Sequence, residues 1–369
     1  MNFPLERPGV AGLAPYAQGM SAIAGVAEPI KLSSNESPLG PSPRAIEAYH
    51  AAAAQLFRYP DGTQAALRTA LAEVHGLERD RLVCGNGSDE LIQLLIRAYL
   101  VPGDRVVLSQ HSFIMARVHA IAQGAAVVTA PEPDFLINVD ELLAHVTART
   151  RIVVIASPSN PCGTYLPRAE LRRLHAALPD DVLLLIDAAY GDYVTAPDYD
   201  CGLEIARTAG NVFVTRTFSK LYGLAALRIG WAYGPERVIA NINRIRTPFN
   251  TNSPALAAAT AAVRDRDHTA RVREHNRDWL GRVSHGLREL GLTVVPSVAN
   301  FVLVRFGAAP LDAASAHAWL LGRGIIPRPL GDDGPENCLR ITIGLAHENE
   351  AVLAALRAFM ASGPGHAHA

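Results

Sequence analysis

The chain has 369 residues, 49% of them hydrophobic and 19% charged, which describes a water-soluble globular protein too long for one ordinary core. Its formal net charge of -1 gives no general attraction to nucleic acid or acidic membrane, so an anionic ligand must be held by a local site. The scattered Cys84, Cys162, Cys201 and Cys338 fit neither a disulfide framework nor a zinc site, and no run reaches the roughly 20 apolar residues of a membrane span; the reading is a cytoplasmic protein.

Residues 1–30 are rich in Pro, Gly and Ala with little periodicity, an arm that needs a surface to lie on, with Pro15 and Tyr16 as its anchor. A turn-rich loop over 31–43 enters a helix at 44–55, and Arg58-Tyr59-Pro60-Asp61-Gly62 forms a turn before an amphipathic helix at 64–75. Short apolar runs then recur at 82–84, 105–108, 126–129, 151–156, 182–186, 212–215 and 229–233, with helical segments between them at 90–99, 115–123, 168–178 and 203–209. Strands apolar on both faces and spaced by crossovers predict an α/β large domain over 31–250, a mostly parallel seven-stranded sheet sandwiched by helices. After about Pro248 the texture changes to long helices at 254–263 and 269–290, the second linking two domains. Short strands at 292–295, 301–305 and 339–343 then alternate with helices at 313–323 and 347–360, which predicts a smaller α+β domain over 251–369. Its Gly/Pro/Ala tail, with His366 and His368, reads as disordered.

Ligands of parallel sheets sit at the carboxyl ends of the strands, so the polar residues that follow the apolar runs carry the interest. Only two of the 34 basic residues are lysines, Lys31 and Lys220. Lys220 follows the hydroxyls of Thr217 and Ser219 and precedes Arg228: an amine able to condense with an aldehyde, beside what a phosphate needs. The alternative is a salt-bridged surface lysine. The segment 85–90 follows a strand and opens a helix whose amides at Gly87, Ser88 and Asp89 can face an anion, or it is simply a helix cap. Asn160 follows the run ending at Ala156 and can donate to a phenolate oxygen, unless its Pro-rich turn is only a strand exit. Asp187 ends another apolar run, with Tyr190 three residues on. A carboxylate there calls for a cationic partner such as a protonated pyridine nitrogen, or else caps the next segment. Phe113 is either the apolar face that stacks on a ring or core. Arg328 and Arg340, on either side of a Gly-rich loop at 331–334, can fork onto an anionic substrate group or simply be solvated.

The ordered set Asn35-Glu36-x-Pro38, Tyr59-Pro60, Gly87-x-Asp89-Glu90, Asn160-Pro161-x-Gly163, Asp187-x-x-Tyr190, Ser219-Lys220 and Arg228 resembles the fold-type I pyridoxal-phosphate aminotransferases over nearly the whole chain. Within that group it is most similar to the histidinol-phosphate aminotransferases, through Pro15-Tyr16, Arg58-Tyr59-Pro60, Asn300-Phe301 and Leu339-Arg340-Ile341-Thr342. The resemblance implies that Lys220 is the Schiff-base lysine and proton shuttle and that Asp187 pairs with the pyridine nitrogen. Asn160 and Tyr190 would contact the ring oxygen, and Phe113 takes the place of a stacking tyrosine. Ser88, Asp89, Thr217, Ser219 and Arg228 would hold the phosphate together with Tyr59 of the partner subunit. Asn35, Arg328, Arg340 and Tyr16 of the partner subunit's arm would bind substrate. A homodimer with shared sites is therefore implied, acting on an amino donor and a 2-oxo acid. The Asp-Glu-Ala-Tyr motif of the family reads Asp187-Ala188-Ala189-Tyr190 here, and Asn-Pro-Thr-Gly reads Asn160-Pro161-Cys162-Gly163. The same scaffold also serves aromatic amino-acid aminotransferases, threonine-phosphate decarboxylases and ligand-sensing modules fused to DNA-binding domains. The last would need a basic helix-turn-helix segment ahead of Tyr16.

Overall fold

The computed structural model describes residues 4–331 and 334–362; the tail with His366 and His368, and part of the Gly-rich loop, lie outside the described residues. The arm leads into a two-residue strand, β1 (Ile30–Lys31), and a loop that enters the helix Pro43–Ala53. That helix is capped by Ser42, whose hydroxyl accepts from the Arg44 amide. Next comes the sheet that organises the molecule: β2 (Leu82–Gly85), β3 (Arg105–Ser109), β4 (Ala126–Ala130), β5 (Thr150–Ala156), β6 (Leu183–Asp187), β7 (Val212–Thr217) and β8 (Gly230–Tyr233). Their order across the sheet is β2-β8-β7-β6-β5-β3-β4; the neighbours are parallel except for the two pairs made by β8. Strands β6, β7 and β8 are buried along their whole length, which is why they read as unbroken apolar runs rather than as alternation. The register sets Asp187 beside Ala156 on one side and Thr215 on the other, at the carboxyl edge of the sheet.

All seven predicted strands are present in this one sheet. Three helices escaped the sequence reading, among them the four-residue Pro8–Ala11 of the arm. Val139–Ala144, capped by the Asn138 side chain on the amides of Asp140 and Glu141, is too short to show a 3.6-residue repeat. Glu236–Ile245 buries Val238, Ile239 and Ile242 with Leu95 in the apolar layer beneath the sheet, on a stripe of only three residues.

The C-terminal sheet runs β12-β13-β10-β9, from β9 (Thr293–Val294), β10 (Phe301–Arg305), β12 (Arg328–Pro329) and β13 (Cys338–Thr342), all antiparallel; β11 (Ile325–Ile326) pairs instead with β1. The helix Ser253–Arg264 buries Ala255, Ala258, Ala259 and Ala262, small residues that let it lie close against Pro43–Ala53 and Ala65–His75. Asp265 caps the 24-residue helix Arg266–Glu289 by accepting from the His268 amide. That helix contributes Val272 to the apolar cluster of the large sheet and Val283 and Leu287 to that of the C-terminal sheet, which makes it the strut between them. Among the described residues no helix is long and apolar enough to cross a membrane.

One buried ion pair stands apart from the cavity. Arg216 of β7 donates to Asp192, both almost fully buried, with the guanidinium 5.5 Å from the centre of the Trp231 ring. Removing one partner strands a charge in a low-dielectric interior, at a cost of about 3–5 kcal/mol. Asp192→Ala should lower the urea midpoint accordingly. The double variant Asp192→Leu/Arg216→Met should recover most of the loss, and equal stabilities for all three proteins would show that the pair is not desolvated.

Candidate active site

At the carboxyl edge of the large sheet, where β5, β6 and β7 end and the arm and C-terminal sheet close over them, lies a cavity of about 690 Å³. Every side chain assigned to cofactor or substrate from the sequence lines it except Tyr59, which is exposed and stacked on Phe249 at 4.7 Å between ring centres. The turn that carries Tyr59 faces outward, so in this chain the phenol does not reach the cavity.

Lys220 sits within the cavity, half-buried, its Nζ donating to the Ser34 carbonyl at 3.0 Å and lying 5.6 Å from the centre of the Tyr190 ring. Desolvation, helped by the positive charge of Arg340, lowers its pKa to about 7, so a large share of the amine is unprotonated at neutral pH. Lys31, the other lysine, keeps an ordinary surface pairing with Glu36 at 2.8 Å, although it too reaches the cavity rim.

Asp187 is 8% exposed. Burial pushes its carboxyl up to about 6, against the pull of the Thr215 hydroxyl, which donates to Oδ1 at 3.2 Å. A carboxylate in that state gains most from a cationic hydrogen-bond donor brought in by a ligand.

Another part of the cavity wall is built for an anion. The helix Ser88–Tyr99 begins there, and its first turn presents free amides at the positive end of the helix dipole. Two glycines make the approach possible. Gly87 has φ +84°, and a Cβ on it would come within 2.6 Å of Arg228 Nη2; a Cβ on Gly230 would lie 2.4 Å from the Ser88 nitrogen. Arg228 takes the left-handed conformation, φ 51°, and donates to the Ser219 hydroxyl at 3.3 Å, while the Thr217 hydroxyl accepts from the Ser219 amide at 3.1 Å. Cation, hydroxyls and helix terminus therefore converge. The Asp89 carboxylate turns aside toward His119, 3.5 Å away.

On the remaining walls the geometry departs from the sequence reading. Asn160 is engaged by Arg340, whose Nη1 donates to its Oδ1 at 2.6 Å, while Nη2 donates to the Ser33 carbonyl at 2.7 Å. Arg328 and Arg340, expected only near strand ends, are direct cross-strand neighbours on β12 and β13. Asn35, expected to bind substrate, is 1% exposed and donates to the Tyr190 hydroxyl at 2.8 Å. Its own amide donates to Thr342, and its carbonyl accepts from Asn300. Asn35 thus orients Tyr190.

Tyr16 was expected from a partner's arm; here it comes from the chain's own. Arg328 Nη2 donates to the Ala17 carbonyl at 2.7 Å and the Ser33 hydroxyl to the Met20 carbonyl at 2.8 Å, which ties the arm across the cavity mouth. The Tyr16 ring then lies edge-on to Phe113 at 6.4 Å. Ser33, Ser34 and Met115 also line the cavity and were missed. The first two present carbonyls to Arg340 and Lys220, a role any residue type can fill and no sequence signal marks.

The sequence family described as aminotransferase class I and II matches residues 27–359. The histidinol-phosphate aminotransferase of Paramagnetospirillum magneticum is 52% identical over 98% of this chain and 99% of its own length, and that of Rhodopseudomonas palustris 47% identical over 98% and 100%. The crystal structure of histidinol-phosphate aminotransferase from Sinorhizobium meliloti in complex with pyridoxal-5'-phosphate superposes with a TM-score of 0.87, at 28% identity over 98% of this chain and 99% of that one.

The depressed pKa of Lys220 has a thermodynamic signature in the ligand-free protein. Between about 7, its folded value, and 10.5, its ordinary one, the unfolded chain binds the extra proton. The amine's contribution to stability therefore rises with pH across that window, and its cost is greatest below pH 7. Lys220→Met should raise the denaturation midpoint at pH 7 and below, by an amount that shrinks as pH approaches 10.5. A pH-independent difference would mean that the amine is fully solvated. Gly230→Ala should leave the core intact yet displace the Ser88 amide, and the loss should appear as weakened phosphate-ester binding by titration calorimetry.

Proposed function

The chain belongs to the class I and II aminotransferase family, and we propose that it is a pyridoxal-phosphate enzyme that exchanges the amino group between histidinol phosphate and 2-oxoglutarate in histidine biosynthesis. The observation that carries this reading is the placement of a near-neutral amine, Lys220, between a buried carboxylate and an anion cradle in one cavity. The full-length similarity to histidinol-phosphate aminotransferases selects the substrate.

The residues present fit the cofactor. The amides of Ser88 and Asp89, the hydroxyls of Thr217 and Ser219, and Arg228 would bind its phosphate, with Phe113 against the ring face and Asn160 and Tyr190 toward the ring oxygen. Asp187 would accept a hydrogen bond from the ring nitrogen and hold that nitrogen protonated. When bound, the cofactor supplies an aldehyde for amines and a ring that draws electrons from the substrate Cα. Lys220 Nζ would serve as the nucleophile toward the cofactor's aldehyde and, as a free amine, as the base that moves a proton at the substrate Cα. A pKa near neutrality suits both tasks. Asn35 positions the Tyr190 hydroxyl by its hydrogen bond. Arg328, Arg340 and Tyr16 would receive the anionic end of the substrate, whether the phosphate of one half-reaction or a carboxylate of the other.

The homodimer belongs to the same proposal. Leu56, Phe57 and Tyr59 are 66%, 74% and 83% exposed in one short segment, with Phe249 beside them, an apolar surface suited to a second copy. Pairing through that surface would bring Tyr59 of the partner subunit to the phosphate end, and a cytoplasmic location accords with a biosynthetic role.

Stopped-flow half-reactions followed by the cofactor's colour test the reading. Histidinol phosphate should convert the bound cofactor faster than phenylalanine does; the reverse order would assign the enzyme to aromatic amino acids. Tyr16→Phe removes a hydroxyl donor to a charged group, about 1.5–3 kcal/mol, and should slow the histidinol-phosphate half-reaction roughly tenfold or more while sparing phenylalanine. Asp187→Asn should keep the cofactor and lose roughly a hundredfold or more in turnover; near-normal turnover would leave Asp187 as a mere cap.

A further inference from the structure

Next to the cavity, the carboxyl ends of three adjacent parallel strands bring together groups that the aminotransferase reaction does not use. His111 lies two residues beyond β3, Glu132 two beyond β4, and Cys162 six beyond β5. One potential ligand atom from each lies within 4.8 Å of the other two, and all three residues are buried: His111 is 7% exposed, Glu132 5% and Cys162 fully enclosed.

Two of these groups are polar atoms without partners. His111 Nδ1 and Glu132 Oε1 make no hydrogen bond, although Glu132 Oε2 accepts from the His111 amide at 3.3 Å. A buried imidazole nitrogen and carboxylate oxygen left unsatisfied each cost about 1–3 kcal/mol, more for a charged group, and native interiors rarely keep them so. The buried hydroxyls of Ser109 and Ser159 stand beside Glu132 and Cys162 respectively, and neither reaches the His111 Nδ1. The thiol packs among Val295, Leu303 and Cys338, and Phe135 lies against the His111 ring at 5.6 Å.

We propose that His111, Glu132 and Cys162 form a zinc site, with three protein ligands and a fourth position for water. Thiolate, imidazole and carboxylate together suit a borderline-soft divalent ion better than magnesium or calcium, which take oxygen ligands. The charges balance, since a thiolate and a carboxylate neutralise the dication and leave no net charge buried. Without the ion, burial raises both groups, Glu132 to about 7 and the Cys162 thiol well above its ordinary value. Binding therefore displaces the thiol proton, and below about pH 7 the carboxyl proton as well. The sequence spacing concealed the site because its ligands lie 21 and 30 residues apart and meet only through the strand order β4-β3-β5. Its role would be to fasten the loops that carry Phe113 and Asn160, two residues from His111 and Cys162 respectively, to the edge of the sheet.

The test uses the holoenzyme expressed in zinc-supplemented medium, washed with chelator and desalted, so that loading occurs during folding. Metal analysis should find about one zinc per chain, and X-ray absorption at the zinc edge should show a sulfur scatterer at about 2.3 Å. Zinc lost completely in the wash, or a first shell of nitrogen and oxygen only, overturns the site in the unmodified protein and requires no variant. Cys162→Ser and Glu132→Gln should each remove at least nine-tenths of the retained metal while the cofactor colour persists. Undiminished zinc in both variants would place the ion elsewhere, for instance on the terminal His366 and His368. Failure of the histidinol-phosphate assignment would leave these readouts unchanged.

Discussion

An amine and a carboxylate in one water-poor cavity are each destabilised by lost hydration, and most of the architecture serves to place them there. Lys220 and Asp187 move in opposite directions for the same reason, the amine toward neutrality at low pH and the carboxyl toward neutrality at high pH. Their pKa values, about 7 and about 6, meet near physiological pH, where an arriving ligand can set both charge states. Arg340 sharpens the effect on the lysine, its own guanidinium held in place by Asn160 and the Ser33 carbonyl.

The large sheet meets this demand by geometry. Parallel strands end together, so side chains just beyond β5, β6 and β7 converge although they are distant in sequence. The antiparallel β8 then places Gly230 against the start of the helix Ser88–Tyr99, bringing Arg228 to the helix terminus. Close approach of that kind is available only without a Cβ, which makes these glycines as necessary to the anion cradle as the arginine.

The C-terminal sheet closes the cavity. From β13, Arg340 reaches Asn160 and Thr342 reaches Asn35, which in turn holds Tyr190. The first contact crosses to the loop after β5 of the large sheet and the second to the loop after β1, so a displacement of β13 would move an arginine and a phenol together. The strut Arg266–Glu289, anchored in both apolar clusters, ties the two sheets together.

Much of this was legible from residues in order. The buried strands declared themselves as apolar runs because both of their faces are covered, and Asp187 stood out because it ends one of them. Lys220 stood out because lysine is nearly absent from the chain. Those signals are local, carried by side-chain chemistry and period. The rest depended on which segments meet. The hydrogen bond by which Asn35 orients Tyr190 and the arm's return over its own cavity are contacts between segments far apart in sequence, and the pairing of Arg328 with Arg340 depends on strand register. So is the meeting of His111, Glu132 and Cys162. The sequence by itself determined the α/β sheet, the lysine and its carboxylate, because burial and composition leave their mark residue by residue. Tertiary structure alone decided how the walls are wired, because a hydrogen bond between distant loops depends on strand order and register, which leave no periodic trace in the chain.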